Sequence, residues 1–159
     1  MEHITQKEAI VKKLLAAVSL TIFMAAGVCL AAEHGGNPLV EHPGKAVTAK
    51  EVKKSIKEHV KAASKAAGGV FVIKDDKLNK EWRLKLDKIH DPVRQFEKDG
   101  NKIYFACSDF KSVDSKDLLD IDFWMVDKGG KLEVTDTKIH KVNGAPRFTY
   151  EGTEIKEVK

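Results

Sequence analysis

The feature that most constrains this chain is a change of hydrophobic period at Gly68-Gly69. Before the glycines, Ala49, Val52, Ile56, Val60, Ala63 and Ala67 recur at spacings of three and four, which is one apolar stripe of an α-helix. Lys50, Lys54, Lys57, Lys61 and Lys65 form the opposite stripe. Thr48 with Glu51 three residues later is a capping box, in which each residue satisfies an orphan backbone N–H of the other. The two glycines stop the helix, because glycine takes the left-handed conformation at little cost.

After the glycines the period is two. Residues 70–73 make a short apolar strand, and residues 75–79 a turn. Trp82, Leu84 and Leu86 alternate with Arg83, Lys85 and Asp87, the pattern of a half-buried strand. His90-Asp91-Pro92 interrupts it, and residues 93–97 resume pairing. Asp99-Gly100 and Asn143-Gly144 are hairpin signals, and Gly129-Gly130 turns the chain. Between these turns lie Ile103, Phe105 and Cys107, then Leu119, Ile121, Phe123 and Met125, then a strand from Leu132 and Val134 toward Val142. Residues 147–151 form the last strand. Short turns require antiparallel pairing, since parallel strands need long crossovers. A helix with one apolar stripe must cover one sheet face. The expected fold is therefore α+β: one N-terminal amphipathic helix on a curved antiparallel meander sheet of five to seven strands. This looks like the cystatin-like or NTF2-like layout; the alternative is a small β-barrel with an outer helix. The cystatin inhibitory motif Gln-x-Val-x-Gly is absent, so the likeness implies no inhibitor function.

The first 32 residues read as a signal peptide. Lys7, Lys12 and Lys13 precede 19 residues without charge (14–32), which end in Ala31-Ala32 before Glu33. Cleavage near Ala32 predicts a periplasmic or secreted protein, with membrane contact only through the signal segment before cleavage. The alternative is an uncleaved anchor in the inner membrane. Val28 before Cys29 departs from the small residue that a lipoprotein signal places there. Cleavage removes Cys29 and leaves Cys107 as the one thiol, unable to form an internal disulfide. Residues 33–47, rich in Gly and Pro and containing His34 and His42, are expected as a flexible lead-in. Residues 48–151 are expected as a single domain, and residues 152–159 as a tail.

The 159-residue chain has 28 Lys and Arg against 24 Asp and Glu, net +4. Without a motif, so mild a charge gives no reason to expect a nucleic-acid partner. Charge is segregated, however: +5 over residues 45–65 and −4 over residues 109–136. A solvated basic helix face is the favoured reading of the first block.

No phosphate loop, Cys-x-x-Cys, His-Glu-x-x-His or Gly-x-Ser-x-Gly occurs, so no catalytic residue is assigned. Two sets of candidates remain. His90, His140, Cys107 and Asp136 offer the ligand types of a zinc or copper site, spread over different strands. Asp136, Lys138 and His140 continue the alternation of Leu132 and Val134, which puts them on one face if that face persists. Trp124 has the opposite parity to Phe123 and Met125 and falls beside Asp120 and Asp122. An exposed Trp flanked by acids suits a cationic or sugar-like ligand or a protein contact; the competing arrangement packs Trp124 under a terminal segment. Cys107 beside a His is also the minimum of a thiol nucleophile pair, though without a base orienter or oxyanion site.

The stretches WRLKLDKIHDPVR, DIDFWMVD and DTKIHKVNGAPRFTYE resemble small exported bacterial proteins of unassigned function, over about residues 41–151. The resemblance brings no activity, cofactor or site residue. The sequence thus points to an exported, non-enzymatic module that binds an unknown small molecule or protein. A transition-metal-binding protein and a thiol-dependent enzyme are the alternatives.

Overall fold

The computed structural model describes residues 37–38, 46–152 and 154–158. The expected signal peptide at 1–32, His34, His42 and most of the lead-in lie outside the described residues. Among those described, no helix is long and apolar enough to cross a membrane.

Helix α1 (Ala49–Ala66) begins at the capping box. The Glu51 N–H donates to Thr48 Oγ1 at 3.2 Å, and the Thr48 N–H donates to Glu51 Oε2 at 2.8 Å. At its end the Gly69 N–H donates to Ser64 O at 2.7 Å, and Gly68 takes φ +74°, where a Cβ is strained. Val52, Ile56 and Val60 are buried against the sheet, and Lys50, Lys54, Lys57, Lys61 and Lys65 face solvent. Each of the three buried side chains contributes about 1.5–3 kcal/mol.

The strands are β1 (Asn37–Pro38), β2 (Phe71–Asp75), β3 (Lys80–Ile89), β4 (Arg94–Lys98), β5 (Asn101–Ser112), β6 (Leu118–Asp127), β7 (Leu132–Val142), β8 (Ala145–Pro146), β9 (Phe148–Glu151) and β10 (Glu154–Glu157). All pairs are antiparallel. The core of the sheet is the meander β5-β6-β7. β5 is long enough to pair with β4 through Asn101–Phe105 and with β3 through Ser108–Ser112, so β3 and β4 share one edge on either side of the break at Pro92. The sheet is a curled half-barrel, as the expected α+β meander requires. The closed barrel is not formed: among the described residues, β2 pairs only with β3, and β8 only with β7.

Two segments read as irregular carry strands. Asn37 and Pro38 pair with the edge of β4, and an edge strand is where a sheet tolerates proline. Residues 154–157, expected as a tail, pair with β9 to form a separate C-terminal hairpin.

The sheet is buried on both faces. Tyr104, Ala106, Phe110, Leu119, Ile121, Phe123, Met125 and Ile139 belong to the core under α1. Phe105, Trp124 and Phe148 form a second cluster, joined by Phe96, Ile103 and Tyr150. The hairpin supplies Phe148 and Tyr150, and Arg147 pins its start. The Arg147 guanidinium donates two bonds to the buried Asp75, at 2.5 and 2.6 Å, and Trp82 Nε1 donates a third at 2.8 Å. Lys77 adds a bond to Glu157 at 2.5 Å.

Candidate metal centre

The polar residues of the second face lie in cross-strand rows. β5 and β6 pair Phe105 with Trp124, Cys107 with Asp122, and Asp109 with Asp120. The β6–β7 register jumps twice. The first shift lies between Trp124/Asp136 and Met125/Val134, and leaves Thr135 without a partner. It changes the alternation, so Asp136, Lys138 and His140 leave the face of Leu132 and Val134, contrary to the expectation of one continuous face. The second lies between Asp120/Lys141 and Ile121/Ile139, and leaves His140 as the extra residue. A bulge re-aims a side chain. Here it buries both Ile139 and His140, Ile139 in the core under α1 and His140 against the hairpin.

The result is a cluster of Cys107, Asp120, Asp122 and His140, whose four ligand atoms all lie within 4.8 Å of one another. Cys107 Sγ donates to Asp120 Oδ1. His140 Nδ1 is 3.5 Å from Asp122 Oδ2 and 3.9 Å from Asp120 Oδ2. The Tyr150 hydroxyl donates to Asp122 Oδ2 at 2.7 Å. Phe148 stacks on the His140 ring, with centroids 4.8 Å apart. Cys107, Asp122 and His140 are at most 3% exposed. Asp122 Oδ1 is buried with no hydrogen-bond partner among the described residues.

Electrostatics follows from burial. Desolvation pushes the Asp122 carboxyl up to about 7, against the nearby Cys107 thiol and the bond from Tyr150, which favour its ionised form. Asp120 is raised for the same reason. Lys141 favours the charged form of both carboxylates. The Cys107 thiol is driven far above its ordinary range, first by burial and then by the neighbouring Asp122 and Asp120. A thiol so held keeps its proton and is a poor nucleophile, so this geometry gives the thiol-enzyme alternative no support.

The candidates of the sequence analysis are thus redistributed. Cys107 and His140 converge. Asp120 and Asp122, placed beside Trp124 as a ligand patch, are instead the partners of that Cys and His. Trp124 is 9% exposed and packs on Phe105 and Tyr150 at 5.3 and 6.5 Å, beneath the terminal hairpin. It offers no open aromatic patch. Asp136 stays outside, half-exposed, with Lys138 at 3.4 Å and its own contact to the Thr137 N–H. His90 sits at the margin: its N–H donates to Cys107 O at 2.9 Å, while its ring lies beside Asp109. Tyr150 and Phe148 were missed as site residues. A signal for them existed in the unbroken apolar runs 103–107 and 123–126, because strands buried on both faces lose their alternation.

Comparison with protein-family models, with curated proteins and with solved structures returns no match.

Proposed function

We propose that this chain is an exported metal-binding protein that holds one divalent zinc-class ion between Cys107, Asp120, Asp122 and His140. The observation that carries the reading is the convergence of four ligand atoms within 4.8 Å in a buried site, with Asp122 Oδ1 left without a hydrogen bond. A buried, unsatisfied carboxylate oxygen costs about 1–3 kcal/mol or more and calls for a partner. One thiolate, one imidazole and two carboxylates fit Zn²⁺. The set has too few soft donors for Cu(I) and too few oxygens for Ca²⁺ or Mg²⁺. Three anionic ligands exceed the charge of a divalent ion by one, and Lys141 supplies the compensating field. Tyr150 orients Asp122, as groups around a metal's ligands commonly do. Binding displaces the thiol proton, so the ion takes over the charge stabilisation that the hydrogen bonds give without it. Export, which places the lone thiol in an oxidising compartment, rests on residues 1–32 of the sequence.

Titration of the purified mature chain with Co²⁺ tests this. Stoichiometric binding with a sulfur-to-cobalt charge-transfer band is expected, lost in Cys107→Ser and in His140→Ala. Binding that survives both substitutions places the metal elsewhere and contradicts the proposal.

A further inference from the structure

We infer that the C-terminal hairpin β9–β10 is the lid of the buried cluster, hinged at Arg147 and latched by the Tyr150 hydroxyl on Asp122; as a gate for an ion it rests on the metal reading above. Three of the four ligand groups are sealed. The side chains of Asp122 and His140 are 0% and 1% exposed, and Cys107 is 3% exposed, while the Asp120 side chain at the margin keeps 14%. An ion that reaches all four must displace protein. Behind the cluster lies the core under α1. Within the sheet, the ladders β5–β6 and β6–β7 tie together the strands that carry Cys107, the two aspartates and His140. In front lies the hairpin, with Phe148 stacked on His140 and the Tyr150 ring edge-on to it at 5.9 Å.

The hairpin is the cover most easily moved. β9 and β10 form a two-stranded sheet of their own, with no ladder to the main sheet. Every residue of β10 is exposed, so its outer side is free among the described residues. Its ties to the body are unequal. At the root, the Arg147 guanidinium is bound to Asp75, the Arg147 N–H donates to His140 O at 2.8 Å, and Lys77 bonds Glu157, the partner of Phe148. Tyr150 pairs with Ile155, one pair short of the turn, and its hydroxyl donates to Asp122 Oδ2 at 2.7 Å. A cover clamped at one end, and held at the other by ring contacts and one hydroxyl, opens as a flap. A unit of this kind opens at less cost than the whole fold. The latch also falls on a metal ligand. Asp122 Oδ1 has no hydrogen-bond partner and is open to the ion, while Oδ2 accepts from Tyr150. A bound ion keeps Asp122 as the carboxylate, and a hydrogen bond to an ionised acceptor is about twice as strong as a neutral one. Occupancy therefore holds the lid shut.

Alkylation by iodoacetamide of the metal-free mature chain, whose one thiol is Cys107, reports the opening. Wild-type labelling should be faster than global unfolding permits, and it should depend on urea less steeply than unfolding does, because less surface is exposed. Tyr150→Phe deletes the hydroxyl and keeps the ring. It should label at least about tenfold faster, the low end for losing a hydrogen bond to a charged group. It should also release Co²⁺ to a chelator faster than wild type, with the charge-transfer band retained. Wild-type labelling that matches global unfolding in rate and urea dependence overturns the inference, and so does an unchanged rate in Tyr150→Phe. Loss of the band in Tyr150→Phe overturns it too, since the hydroxyl would then be needed for binding rather than closure. A wild-type chain that shows no band at all defeats the metal reading, and the gate with it, whatever the labelling shows.

Discussion

At the residue scale the cluster sets stability against binding. At pH 8 Asp122 carries a buried charge that Tyr150 and Lys141 offset in part and Asp120 opposes. Asp122→Asn keeps the shape and removes that charge. The metal-free variant should be more stable than wild type at pH 8 by about 1–3 kcal/mol in urea unfolding, since a buried charge is replaced by a neutral isostere. It should also fail to bind Zn²⁺. A variant less stable than wild type would mean that the carboxylate is structural. Asp75 behaves in the opposite sense. Burial alone would raise its carboxyl, but bonds from Arg147, Trp82 and the Leu78 N–H outweigh this and hold it at about 2. A folded value below the unfolded one contributes stability above about pH 4, and that contribution is lost as pH falls toward 2. The loss should be about 2 kcal/mol in acid unfolding, and it should vanish in Asp75→Asn. Arg147→Ala, which leaves Asp75 buried without its ion pair, should cost about 3–5 kcal/mol at neutral pH.

At the element scale the helix and the meander were legible, and the site was not. Thr48, Glu51 and Gly68-Gly69 mark the helix locally, and the period-two runs between Asp99-Gly100, Gly129-Gly130 and Asn143-Gly144 mark the meander. Bulges leave no comparable mark. Thr135 and His140 look like ordinary strand residues, yet the shifts beside them carry Asp136 away from the face of Val134 and bury His140. Parity counting therefore placed Cys107 correctly on its face and misjudged what covers it. The cover comes from β9 and β10, short polar-looking strands whose role depends on Phe148 reaching His140 and Tyr150 reaching Asp122. Phe148→Ala should cost about 3–5 kcal/mol, the range for emptying a buried aromatic position. It should also change the near-ultraviolet dichroism of Trp124, which shares that cluster. An unaltered signal would show that the hairpin does not pack where described.

At the scale of the whole molecule, two hydrophobic layers enclose one sheet, and the hairpin layer holds the four ligand groups that converge. The helix layer is an aliphatic and aromatic core that accounts for folding. The hairpin layer mixes aromatic rings with a thiol, an imidazole and two carboxylates, a composition that costs stability unless something binds there. Export is a prediction at this scale: intact-mass analysis of the protein from its native source should show a chain beginning at Ala32 or Glu33, and a chain that retains Met1 would contradict it. The most direct test of the central claim is urea unfolding of the mature chain, with saturating Zn²⁺ and with a chelator. If the buried cluster holds the ion, Zn²⁺ at 100 times its dissociation constant stabilises the wild type by about 2.7 kcal/mol and leaves Asp122→Asn unmoved. Identical unfolding of the wild type in both conditions would contradict the account.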